Sequence, residues 1–162
     1  MKKFVIDKKS IVFYLISIIG ILVVDQLTKV IVEASMQLAS SHTIIDKFFY
    51  FTYAQNKGAA WSMLEGHVSL FILIGFVAGI GMIFYFLKTK ENEILTRFGL
   101  VLAFAGMIGN VIDRVRLGYV VDFIDFIILG YDFPIFNVAD MALVIGLGLV
   151  ILEVLLEGRN NG

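Results

Sequence analysis

Val68–Leu87 reads VSLFILIGFVAGIGMIFYFL, an apolar run with no charged residue. At 1.5 Å per residue it crosses a hydrocarbon layer of roughly 30 Å. Apolar side chains all round a helix belong in lipid or in a large core, and the rest of the chain is too short for the latter. Of its 162 residues 59% are hydrophobic and 17% charged, with a mean hydropathy of +0.92. Soluble domains are about 45–50% apolar. The chain therefore reads as one integral membrane domain spanning residues 1–162.

Three further spans emerge once polar residues are admitted. Ile11–Val24 continues through Asp25, Gln26, Thr28 and Lys29 to about Val32; Phe98–Gly109 continues through Asn110, Asp113 and Arg114; and Met141–Leu156, preceded by Asn137 and Asp140, carries Glu153 near its end. The expected spans are about 11–32, 67–88, 95–116 and 137–157, joined by outer segments 33–66 and 117–136. Leu117–Phe136, with Asp122, Asp125, Asp132, two glycines and Pro134, reads as a loop dipping into the interface, since irregular backbone is not tolerated against lipid. Lysines 2, 3, 8 and 9 and the cluster Lys88, Lys90 and Arg97 fall on one side of a four-span chain, and the outer segments hold only Lys47 and Lys57. The positive-inside rule makes the first side cytoplasmic, with both termini. The basic N-terminus followed by an apolar run resembles a cleavable signal, but the run leads into Asp25 and Lys29 instead of small residues, which favours a retained anchor.

Net charge is −1 without a basic stripe, which argues against nucleic acid. With no cysteine there is no thiol nucleophile and no Cys-based metal site. His42 and His67 lack ligand spacing, so neither metal nor cofactor is expected. Ser62 and Ser69 near His67 show no triad spacing.

The unusual residues share one depth. Asp25 lies in the outer third of its span, Asn110 and Arg114 at an outer end, Asp122 and Asp125 in the outer loop, Asn137 and Asp140 at the outer start of the fourth span, and AQNKGAAW at Ala54–Trp61 in the first outer segment. Simpler readings exist for each: Asp25–Lys29 as an i,i+4 pair; Asn110 and Arg114, near Gly106 and Gly109, as helix-packing glue; Asn137 and Asp140 as an N-cap and its N3 acid; Asp125 and Asp132 as solvent-facing turns. None explains the common depth, and ionisable groups in membrane segments are functional candidates by default. The chemistry left open is a carboxylate pair sharing one proton, whose pKa values split because like charges resist joint ionisation. A helix N-terminus at Asp140 favours its ionised form, leaving the proton to Asp122. A carrier with an acid relay, or an assembly subunit, would use the same residues, although transport sites usually lie at the midplane.

Five stretches in order, DQLTK (Asp25–Lys29), NKGAAW (Asn56–Trp61), GNVIDR (Gly109–Arg114), VVDF (Val120–Phe123) and FNVAD (Phe136–Asp140), resemble the bacterial signal peptidase II family over about Ser10 to Glu157. The resemblance implies an all-α integral membrane fold of four helices, with a small extracytoplasmic β-like cradle and a short half-helix. Phe48–Tyr53, FFYFTY, would supply the aromatic surface of that cradle. It further implies a monomeric aspartic endopeptidase of the bacterial cytoplasmic membrane, with its site near the outer surface. Such an enzyme cuts lipid-modified prolipoproteins before a diacylglyceryl cysteine, among membrane lipids, without metal or cofactor. Asp122 and Asp140 match the catalytic positions, and it is this resemblance that selects Asp122 over Asp125. Asp25, Lys29, Asn56, Gly58, Asn110, Arg114 and Asn137 match positions that line or support the site. Met107 stands where family members often carry a small residue, and Trp61 where Phe is common.

Overall fold

The computed structural model describes residues 7–58 and 67–160. The expected half-helix and Trp61 lie outside these. Among the described residues are helices α1 (Lys8–Ser35), α2 (Val68–Lys88), α3 (Ile94–Leu117) and α4 (Val138–Asn160), and strands β1 (Ser41–Ile45), β2 (Phe49–Asn56), β3 (Val120–Ile128) and β4 (Tyr131–Asp132). All four helices are long and apolar enough to cross a membrane.

Helix α3 is the hub: 61% of its span window is buried, against 6% to 17% for the others. Isoleucines, leucines and phenylalanines of α1, α2 and α4 face outward, as lipid-exposed surfaces must. Small residues let α3 and α4 meet backbone to backbone. A Cβ on Gly99 would lie 2.5 Å from the Gly146 carbonyl oxygen, and one on Gly106 would clash with that of Ala139. Gly106→Ala is therefore expected to destabilise the protein by about 1–3 kcal/mol through overpacking; a thermal shift in detergent micelles measures it, and an unchanged Tm would contradict the packing. Met107 takes the opposite face of α3, its side chain seated on Gly75 and Gly79 of α2. A large residue fits there because α2, not α3, supplies the glycines.

The four strands form one antiparallel sheet in the order β1-β2-β3-β4. Segment 117–136 is thus mostly strand, not the irregular loop expected. Its first four residues are buried and the next four half-buried, so β3 shows no apolar–polar alternation to betray it. Gly118, at φ 79, ends α3 in the left-handed cap conformation and turns the chain into β3. Leu129 and Gly130, at φ 53 and 82, form the two-residue turn to β4. Asp125 is not in a turn either: it lies within β3 and accepts a 2.5 Å hydrogen bond from Thr52 Oγ1. Asp132 is exposed in β4. The FFYFTY stretch runs through β2, where Phe49 stacks on Phe126 at 4.8 Å. Val32 of α1 joins Tyr53, Val121 and Phe123 in a small core that binds the sheet to the helices.

Candidate active site

The sheet and the adjoining ends of α1, α3 and α4 gather the nine residues expected from the sequence to form the site. Asp25 and Lys29 sit late in α1, Asn110 and Arg114 in the last turns of α3, Asn56 at the end of β2, Asp122 in β3, and Asn137 and Asp140 at the start of α4. Register aligns Ala54 with Asp122 and Asn56 with Val120, which brings Asn56 beside the acid.

The base of the site is a buried charge cluster. Lys29 is 2% exposed and uses all three ammonium donors: Asp25 Oδ2 at 3.0 Å, Asp113 Oδ2 at 2.9 Å and Asn110 Oδ1 at 3.0 Å. Asp25 Oδ1 accepts the Ala139 backbone N–H at 2.9 Å, satisfying an orphan donor in the first turn of α4. A Cβ on Gly109 would strike Asp25 Oδ2 at 2.6 Å, so Gly109 is what lets α1 deliver this carboxylate. Asp113 accepts Gln26 Nε2 at 2.9 Å and the Val121 N–H at 3.2 Å, tying α1 and β3 to α3.

Above this base stand the two acids. Lys29 fixes the carbonyl end of the Asn110 amide, so its Nδ2 donates to Asp140 Oδ1 at 2.7 Å. Asn137 and Asp140 form a reciprocal cap: the Asp140 N–H donates to Asn137 Oδ1 at 2.9 Å and the Asn137 N–H to Asp140 Oδ2 at 3.2 Å. Asn137 Nδ2 turns the other way, donating to Asp122 Oδ1 at 2.6 Å. Asn56 Nδ2 donates to Asp122 Oδ2 at 3.0 Å, and Asn56 Oδ1 accepts the Gly58 N–H at 3.0 Å. Arg114 closes the ring, donating to the Gly58 and Asn110 carbonyls at 3.0 and 3.4 Å, with its guanidinium 5.0 Å from the Phe71 ring centroid. All nine expected site residues thus belong to one hydrogen-bonded circuit. Each carboxylate oxygen of Asp122 and Asp140 receives an amide donor, and among the described residues no cation pairs with either acid.

Asp122 is 3% exposed. Burial, then the neighbouring Asp140 charge, push its carboxyl up to about 7, against the opposing pull of Asn56, Asn137 and Lys29. Two acids sharing Asn137 as donor, one of them holding its proton near neutrality, are equipped to give and take protons in turn.

Two participants are absent from the sequence-based set, Asp113 and Gln26. Asp113 reads as a neighbour of Arg114, yet it pairs with Lys29 across two helices. The available signal was spacing: Gln26/Lys29 and Asn110/Asp113 are both i,i+3 pairs at matching depth. Glu153 also has a role, accepting the Thr96 N–H at 2.5 Å and so capping α3 at the far end of the bundle.

Residues 17–156 match the family model described as Signal peptidase (SPase) II. The chain is 43% identical over 143 residues to the lipoprotein signal peptidase of Staphylococcus carnosus (strain TM300), covering 88% of this chain and 90% of that one. It is 40% identical over 141 residues to the lipoprotein signal peptidase of Staphylococcus aureus (strain MRSA252), covering 87% and 86%. Two bacterial membrane enzyme structures solved by the in meso method are similar. The one at 2.3 Å has a TM-score of 0.87 and 38% identity, covering 93% of this chain and 92% of that chain. The one at 1.9 Å has a TM-score of 0.81 and 39% identity, covering 88% and 92%.

Proposed function

From the premise that this chain belongs to the signal peptidase II family, membrane hydrolases that remove signal peptides from prolipoproteins, we propose that Asp122 and Asp140 are its catalytic pair. The ionised carboxylate takes a proton from water, and the water oxygen attacks the scissile carbonyl. The protonated carboxyl donates a hydrogen bond to that carbonyl oxygen. As the tetrahedral species collapses, a proton passes to the leaving amine and the peptide bond breaks. The pair titrates as a unit, and the raised pKa of Asp122 supports placing the shared proton there in the resting state.

The observation that carries this reading is the ring of neutral donors. Asn56, Asn110 and Asn137 hold both acids without neutralising either, so one proton between them is the stable arrangement. Asp25, Lys29 and Asn137 position the acids. Gly58 and Arg114 bond to one another beside Asn56, the donor to Asp122, and are suited to an extended peptide backbone. The acids lie where helices end and the sheet begins, which supports a location at the membrane surface, where water meets a bond anchored by lipid. With basic residues concentrated at the opposite end, the outer leaflet is the proposed side, both termini are cytoplasmic, and a monomer is sufficient. The scissile bond is the one preceding a diacylglyceryl cysteine.

Purified protein mixed with a lipid-modified prolipoprotein tests the proposal. Cleavage before the lipidated cysteine should proceed equally with and without a chelator, and the unmodified precursor should be cut far less. Cleavage that stops on chelation, or equal cutting of both precursors, would overturn it.

A further inference from the structure

At the end of the bundle opposite the carboxylates, α1 and α2 both pack on α3 and barely touch one another. The gap between them is a cavity of about 350 Å³, lined by Ile11, Leu15 and Ile18 of α1, Met82 and Ile83 of α2, and Leu100 of α3 among others. That is within the usual size of a small-ligand site, roughly 300–1,000 Å³. Its lining is apolar apart from Tyr14.

A second concavity adjoins it, sharing Tyr14, and is lined by Lys9, Arg97, Asp7 and Glu91. The Tyr14 ring meets Phe86 edge-on at 5.5 Å, and the Arg97 guanidinium lies 5.8 Å from the same Phe86 ring. Arg97 is 5% exposed, yet its hydrogen bonds run to neutral acceptors, Nε to Thr89 Oγ1 and Nη2 to the Thr89 carbonyl, both at 3.1 Å. Among the described residues no carboxylate lies within ion-pair distance of it. A buried guanidinium without an anion is costly, and its planar fork matches a phosphate. Asp7 and Glu91 are exposed at the rim with Lys9, so the acidic charge lies outside the buried position that Arg97 occupies.

We propose that this end of the protein binds a glycerophospholipid, its phosphodiester on Arg97 and one acyl chain laid past Tyr14 into the cavity between α1 and α2. A transmembrane peptide is the wrong occupant. A single turn of a helix with side chains, about 10 Å across and 5.4 Å tall, takes up more than the cavity's volume of about 350 Å³. Under the orientation proposed above the lipid comes from the inner leaflet, apart from the substrate. It would wedge α1 against α2 beside the Tyr14–Phe86 ring pair, where the two helices otherwise barely touch.

Detergent-purified protein loaded with phosphatidylglycerol, phosphatidylethanolamine, a diacylglycerol of the same chains, or the free fatty acid, and weighed by native mass spectrometry, decides the matter. Both phospholipids should be retained through detergent exchange and the two phosphate-free lipids lost. Arg97→Gln should lower phospholipid retention by roughly tenfold, as loss of a charge-assisted hydrogen bond implies, and Arg97→Lys by less. Ile18→Phe, which fills the cavity without touching Arg97, should lower it as well while leaving prolipoprotein cleavage in detergent unchanged. Equal retention of diacylglycerol or fatty acid, or undiminished retention in both Arg97→Gln and Ile18→Phe, would overturn the proposal.

Discussion

Asp122→Asn and Asp140→Asn are each expected to lower kcat/KM for prolipoprotein cleavage by about 10⁴-fold, the scale on which a positioned acid–base group acts. Because the pair works as one unit, the double variant should lose little more than either single one. The chemical basis is specific: an amide can neither accept water's proton nor return it. Thermal unfolding in detergent controls for folding. The pH dependence follows from Asp122, whose carboxyl is pushed up to about 7 by burial and by the Asp140 charge. The active pair needs the proton on Asp122, so kcat/KM should fall as pH rises through about 7. Stability runs the same way. Above the ordinary carboxylate range the unfolded chain has released this proton while the folded chain keeps it, so raising pH weakens folding until about 7 and has no further effect through this group beyond it. If Asp125→Asn, and not Asp122→Asn, abolished cleavage, the catalytic assignment would be wrong. Asp125 is bound by Thr52 on the β2–β3 ladder, outside the asparagine ring.

Helix α2 is legible from composition alone because its window has the highest mean hydropathy of the four, 2.6. Helix α3 is harder to see in the sequence because it carries Asn110, Asp113 and Arg114 inside a span, an anomaly that is itself the functional signal. The strand character of β3 was hidden for a physical reason. The first four residues of VVDFIDFII are buried and the next four half-buried, and its acids accept hydrogen bonds from Asn137, Asn56 and Thr52, so polarity marks the site instead of the solvent face. Common depth could assemble the asparagines and acids, but not their wiring. That Asn110 directs its Nδ2 to Asp140 depends on Lys29 occupying its Oδ1, a contact 81 positions away in sequence. The i,i+4 pairing of Asp25 with Lys29 is present but is only one third of what that ammonium does.

Lys29→Met should be the most destabilising substitution outside the acid pair. It leaves Asp25 and Asp113 buried without their shared cation, and breaking one partner from a buried charge cluster costs about 3–5 kcal/mol. A large fall in Tm is expected. Adding Asp113→Asn removes one of the stranded charges, so the double variant should regain part of the loss, and the non-additivity measures the Lys29–Asp113 coupling. Activity separates two roles for the ammonium. If Lys29 only holds the scaffold, kcat/KM recovers alongside Tm in the double variant. Its field, however, also reaches Asp122 and lowers that carboxyl's pKa, so its removal should carry the alkaline fall in kcat/KM to higher pH, and Asp113→Asn, which takes away a negative charge bonded to the neighbouring Val121 N–H, should reverse that movement only in part. An alkaline fall that stays at the wild-type position in Lys29→Met itself would show that Lys29 acts on the carboxylates only through the position of Asn110.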